Sequence, residues 1–163
     1  MTIIYVYSGF TILAGIEQMG ELAVVGAIAL WVIALLLLLD ALLGWSEIKQ
    51  PRSLDLKIAA YFLMFTGIFL YPLVEMALGF RWPGIVLFGA ECPTTIFLIG
   101  LLIGSIPRTN KILLPIVSIN ALFTGGSVAL HGAPFDWLYA LAGVVGIIFL
   151  VVYFKAIYKK NAA

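Results

Sequence analysis

The only cysteine of the chain, Cys92, stands in the run Gly84-Ile85-Val86-Leu87-Phe88-Gly89-Ala90-Glu91-Cys92-Pro93-Thr94-Thr95-Ile96-Phe97. Proline is favoured at the first position of a helix, and the residue before it is pushed out of helical conformation. The run therefore predicts a helix that starts at Pro93, with Cys92 at its cap. A thiol placed there has its thiolate stabilised by unpaired backbone amides and by the helix dipole. The neighbouring carboxyl of Glu91 opposes that effect. One cysteine cannot close an intrachain disulfide, so thiol exchange would need an outside partner. Cys92 and the only histidine, His131, could supply two ligands to a soft or borderline metal, with Glu91 or Asp136 completing the set, although the spacing is that of no metal motif. Burial as a small packing residue is the third reading open to Cys92.

Further polar residues could join such a site. Pro72 cannot donate to the carbonyl of Ile68, and its ring crowds that turn, so a kink is expected there. Tyr71 and Glu75, four residues apart, then share a helix face. Arg81 could pair with Glu75 or Glu91 in a charge-assisted bond; a structural pair and a substrate-binding pair look alike at this level. Asn120 is expected to hydrogen-bond across helices. Gly125-Gly126 should mark close backbone contact or a bend, since each glycine costs a helix interior about 1 kcal/mol against alanine. His131 reads more as a boundary residue than as a catalyst, and the turn after it brings Pro134 and Asp136 to the start of the last helix. Asp40 could snap onto a neighbouring helix, bind a proton or line an inner vestibule, in that order of preference. The candidate ligand-binding set is Tyr71, Glu75, Glu91, Cys92, Thr94, Thr95 and His131. No catalytic triad order, phosphate-cradling glycine loop or histidine-rich metal spacing is present, so no catalytic residue, metal or cofactor is assigned.

The elements that must position these residues follow from composition. Of 163 residues, 64% are apolar and 10% charged, whereas a soluble domain has roughly 25% charged residues. A hydrocarbon core about 30 Å thick takes about 20 apolar residues per helix. Five stretches qualify, 21–45, 57–79, 84–106, 111–131 and 135–157. The expected fold is all-α, a polytopic transmembrane helical bundle of five spans forming one domain over residues 1–163. The segment Thr2–Ile16 adds a short apolar helix, and whether it crosses is left open. It lacks the positive charge that precedes a cleaved signal peptide, so it is read as retained. From Pro93 to Ser105 runs only about 20 Å of helix, too short to cross, so the third span is expected to be broken, with residues 84–91 descending as a loop or half-helix. Interrupted helices are how many transporters expose backbone groups to a ligand. Gly100 with Gly104, and Ala142 with Gly146, are the small residues at four-residue spacing that let helices approach closely.

Lys49, Arg52, Lys57, Arg108, Lys111, Lys155, Lys159 and Lys160 fall on one side of five crossings, and Arg81 alone on the other. The positive-inside tendency makes the crowded side cytoplasmic, which predicts a multi-pass protein with its C-terminus inside. Trp82 and Trp137 would anchor the outer boundary, and Trp45, Tyr153 and Tyr158 the inner one. Glu17, Glu21, Glu75, Glu91 and Asp136 lie toward the outer side with His131 and Cys92. A charge at the bilayer centre costs about 2.5–3.5 kcal/mol on insertion scales, which points to an outward-opening polar pocket. For Glu17, Glu21 and Asp136, at span ends, hydrated headgroups are the plainer reading. Membrane lipid is the expected partner, together with other membrane subunits or a second copy of the chain. The net charge of +1, without an arginine stripe, gives no reason to expect nucleic acid.

Tyr71-Pro72, Phe88-Gly89-Ala90 leading into Cys92-Pro93-Thr94-Thr95-Ile96-Phe97, then Gly125-Gly126-Ser127 and Asp136-Trp137, stand in the order and at the spacing of a family of uncharacterised bacterial integral membrane proteins, domain of unknown function 6064. The C-terminal half of the chain resembles that family. Glu91 stands where the family carries a proline, and the N-terminal half is shorter than the family's, by one or two leading helices. The resemblance implies a polytopic inner-membrane protein of bacterial or archaeal type and no activity. The residues themselves favour a small transporter-like or ligand-binding bundle with an outward-facing polar pocket at the broken third span. The alternatives are a non-catalytic accessory subunit of a larger membrane complex and a thiol enzyme acting through Cys92 with a partner.

Overall fold

Prolines and glycines punctuate an otherwise continuous supply of helix-forming apolar residues, and the helices end where that punctuation falls. The computed structural model describes residues 1–15, 17, 21–51 and 53–158. Helix α1 (Thr2–Ala14) stops at Gly15. Helix α2 (Glu21–Leu43) ends at Gly44, whose φ of +64° is a left-handed conformation that glycine adopts without strain. Helix α3 (Leu54–Phe65) runs through a π turn (Thr66–Leu70) into α4 (Tyr71–Ala77). Residues 81–90 form an irregular loop. Then come α5 (Glu91–Gly104), α6 (Leu113–Leu130), a 3₁₀ turn (Pro134–Asp136), α7 (Trp137–Val152) and α8 (Phe154–Tyr158). Among the described residues there is no strand, only an isolated bridge between Phe88 and Ala90.

Among the described residues, four helices are long and apolar enough to cross a membrane: Ala23–Leu43, Leu54–Ala77, Leu113–Leu130 and Pro134–Val152. The stretch expected to make a third span of five is interrupted. Its helical part, α5, has 14 residues, about 21 Å at 1.5 Å per residue. The helix starts at Glu91 rather than Pro93, because Ala90 takes the extended capping conformation (φ −83°, ψ 163°). Pro93 is accommodated in the first turn, where amides have no intrahelical acceptor to lose. The kink expected at Pro72 is a π turn: widening the helix just before the proline relieves the crowded carbonyl without breaking the rod.

Helix α5 is the hub, with ten of its 14 residues buried. It packs chiefly on α3 and also touches α6, α7 and α1, while α6 pairs with α7 and α1 with α2. Close approach depends on the expected Gly100, Gly104 and Gly146 and also on Gly143, which the four-residue spacing does not single out. A Cβ on Gly100 would lie 2.8 Å from the Ala60 carbonyl oxygen, and one on Gly104 3.3 Å from the Ala60 Cβ. One on Gly143 would lie 2.5 Å from the Ser118 carbonyl oxygen, and one on Gly146 3.2 Å from Ile99 Cγ2. The rim of the bundle is apolar rather than polar: Leu35, Phe123 and Val151 are 55%, 72% and 68% exposed.

Polar side chains tie the bundle together at one end. Asp40 Oδ1 accepts from Ser46 Oγ at 3.1 Å and Asn110 Nδ2 at 2.9 Å. Asn110 Oδ1 in turn accepts from the amides of Ile112 and Leu113 at the start of α6. Of the three roles open to Asp40, this is the first, a tie between helices. Lys49 and Arg108 pair with Glu47 and hold its carboxyl below the usual carboxylate range through those hydrogen bonds. Tyr153 reaches Ser53 and Asp55, and Tyr158 reaches the Lys111 carbonyl. The basic segments around residues 47–57, 105–111 and 153–158 therefore meet at this basic end, and Arg81 lies in the loop at the other, the loop end. Arg52, Lys159 and Lys160, which entered the charge asymmetry, and Ile16 of the first segment lie outside the described residues. Met1 lines a cavity with Leu37, Asp40 and Ser105, so α1 starts near the basic end and runs toward the loop end.

Candidate functional site

The α1–α2 hairpin meets the rest of the bundle through few contacts, fewer than either helix makes with the other. Two ties hold it: the Asp40–Asn110 bond at the basic end, and Tyr5 Oη with Thr95 Oγ1 at 2.5 Å. Between the hairpin and α6 lies a cleft of about 560 Å³, which runs from Ile116 in the first turn of α6 to Val128 near its end. Its walls are apolar on both sides, with Ile12, Gly26 and Ile33 from the hairpin facing Ile116, Phe123 and Val128 from α6. Polar groups enter from one side, where Glu91, Asn120, Thr124 and Ser127 line it.

Glu91 reaches the cleft because the loop at 81–90 ends at Ala90 and α5 begins below the level of the neighbouring helix ends, opposite the middle of α6. Glu91 Oε1 accepts from Tyr139 Oη at 3.3 Å and Asn120 Nδ2 at 3.5 Å, and Asn120 Nδ2 also donates to Tyr139 Oη at 2.9 Å. Both bonds fall on the same oxygen. No described residue bonds to Oε2, which remains an acceptor on a residue lining the cleft.

Cys92, the next residue, points about 100° further round α5. Its thiol faces Tyr71 and Asp136, and Tyr71 Oη donates to Asp136 Oδ1 at 2.5 Å. Asp136 is 3% exposed, so it is not a headgroup residue; the 3₁₀ turn at Pro134–Asp136 folds its carboxyl inward onto Tyr71. Glu75 is fully buried, and its Oε2 accepts from the Val86 amide at 2.8 Å. The π turn makes this possible, because it packs Gly67 directly on the backbone of Pro93 and carries Tyr71 and Glu75 to the inner face of α4. Thr94 and Thr95 are buried on α5: Thr94 Oγ1 accepts from the Gly89 amide at 3.1 Å, and Thr95 Oγ1 donates to the Glu91 carbonyl at 2.9 Å.

The candidate residues therefore divide. Glu91 faces the cleft, and Thr95 lies one turn below it. Tyr71 and Cys92 gather around Asp136, and Glu75, one turn after Tyr71, bonds to the loop at Val86. His131 joins neither; it is exposed, and its Nδ1 lies 2.7 Å from the Ser127 carbonyl. The metal set of Cys92 and His131 with Glu91 or Asp136 is not assembled, and among the described residues no three His, Cys, Asp or Glu side chains are grouped to hold a metal ion. Arg81 is exposed and pairs with neither Glu75 nor Glu91 among the described residues. Glu17 and Glu21 are exposed, as their place at span ends suggested. Sequence reasoning missed Tyr5 and Tyr139. A tyrosine inside an apolar helix needs a partner for its hydroxyl, and that requirement was a signal available from the start.

The family model described as Family of unknown function (DUF6064) matches residues 1–160. The chain belongs to that family over essentially its whole length, so the likeness is not confined to the C-terminal half. No curated protein and no solved structure matches the chain.

Proposed function

We propose that this member of the unknown-function family is an integral membrane protein that binds a small amphiphile in the cleft between the α1–α2 hairpin and α6, with Glu91 recognising the polar group. The observation that carries the reading is the accepting Oε2 of Glu91 on a largely apolar cleft of about 560 Å³. Sites for small molecules have volumes of about 300–1,000 Å³, with apolar walls and a few placed polar groups. A carboxyl oxygen, a carboxamide and two hydroxyls beside apolar walls suit a ligand with a hydrocarbon body and an amine or other donor head. Membrane residence is supported by the four long apolar helices and their outward-facing leucine, phenylalanine and valine side chains. The basic end then faces the cytoplasm, in an inner membrane, with the start of α1 and the end of α8 on that side. We read the cleft as the outward-facing polar pocket of a transporter-like or ligand-binding bundle.

The test uses the full chain in nanodiscs, with a brominated single-chain alkylamine as probe and quenching of Trp31 on α2 as readout. Saturable quenching is expected, weakened tenfold or more by Glu91→Gln and abolished by Ala29→Phe, which fills the cleft. Quenching that is linear in probe and equal in all three proteins would overturn the reading.

A further inference from the structure

We propose that Glu75, with Asp136 beside it, is a proton-binding site enclosed between α4, α5, the start of α7 and the 81–90 loop. Glu75 is 0% exposed. Its Oε2 accepts from the Val86 amide, but its Oε1 is buried and has no partner among the described residues. A buried carboxylate oxygen without a donor or counter-ion is strongly disfavoured in its charged form. The second acid, Asp136, is also buried and is linked to the same helix face through Tyr71, one turn before Glu75. Two carboxyls in one apolar enclosure cannot both ionise without compensation.

The groups around Glu75 supply no compensation. Tyr71 comes from its own helix, Asp136 from the start of α7, and the loop contributes the Val86 amide; Cys92 of α5 lies beyond them, toward Tyr71 and Asp136. Arg81, the nearest base along the chain, is exposed and unpaired with either acid among the described residues. A metal ion would need a larger ligand set, and no such group of side chains is assembled among those residues. A proton needs one oxygen. The unpartnered Oε1 provides it, and a neutral carboxyl removes the repulsion from Asp136. This site is distinct from the cleft: Glu75 bonds to the loop at Val86, whereas Glu91 bonds to Asn120 and Tyr139, and either proposal can fail without the other.

The experiment is infrared difference spectroscopy on the protein in liposomes, reading the carbonyl stretch of a protonated carboxyl as pH is raised. Wild type is expected to show the band at neutral pH and to lose it on alkalinisation. Glu75→Gln should lack most of the band, while Glu91→Gln should retain it. No band in wild type at neutral pH overturns the proposal, and so does a band abolished by Glu91→Gln. Should Glu75→Gln not fold, Asp136→Asn serves in its place: the Glu75 band should move to lower pH once its acidic neighbour is neutral, and an unmoved band overturns the proposal. A thermal midpoint that rises with sodium but not with choline at equal ionic strength would assign the site to a metal cation instead.

Discussion

Two consecutive residues, Glu91 and Cys92, divide the polar interior, because successive side chains on a helix point about 100° apart. Glu91 faces Asn120 and the cleft; Cys92 faces Tyr71 and Asp136. Cys92 was readable as a residue of interest, but its thiol is set among acids and a phenol and faces no cationic side chain among the described residues, so the activated thiolate suggested by a helix start lacks its support. Asp136 was harder to place. Its position at a span end suggested water, and only the 3₁₀ turn ahead of it brings the carboxyl inside. The Tyr71–Asp136 bond has a measurable consequence. Tyr71→Phe leaves a buried acceptor without its donor and should lower stability by about 1–3 kcal/mol. Tyr7→Phe, at an exposed site, should stay within about 0.5 kcal/mol. Thermal unfolding of the two variants in one detergent compares them directly.

The element that organises the molecule is the short α5, whose break from the preceding loop was legible in Cys92-Pro93 because proline cannot sit mid-helix without losing a bond. The π turn before Tyr71 was legible only as a disturbance: Pro72 announces a missing donor, but whether the helix bends or widens depends on what packs there, and here it is Pro93 and Phe97 against Gly67. The adjacent glycines of α6 separate in the same way. A Cβ on Gly125 would lie 2.6 Å from the Ala140 amide nitrogen, whereas one on Gly126 meets nothing within 4 Å. Gly125→Ala should therefore destabilise the α6–α7 pair by about 1–3 kcal/mol. Gly126→Ala should be neutral or stabilising by up to about 1 kcal/mol. Denaturant midpoints of the two variants test the contrast, and equal effects would show that the helices do not approach as described.

At the scale of the molecule, the hairpin α1–α2 packs mainly on itself and is joined to the rest by few side-chain bonds, which leaves the cleft against α6. If the basic end faces the cytoplasm, a membrane-impermeant thiol reagent on intact cells should label Trp82→Cys in the loop and leave Lys155→Cys unlabelled until the membrane is opened; the reverse pattern would invert the protein. Composition alone determined that the chain is helical and apolar on its outside, because hydrophobic runs of this length and the scarcity of charge are properties of residues counted without regard to neighbours. Proline and glycine chemistry likewise determined where helices break and where backbones can meet. Tertiary structure alone decided the number of long helices, the inward turn of Asp136, the separation of Glu91 from Glu75 and Cys92, and the isolation of His131. Those outcomes depend on the rotation of one helix against another, which a sequence of nearly uniform apolar helices leaves unspecified until side chains from distant segments pack together.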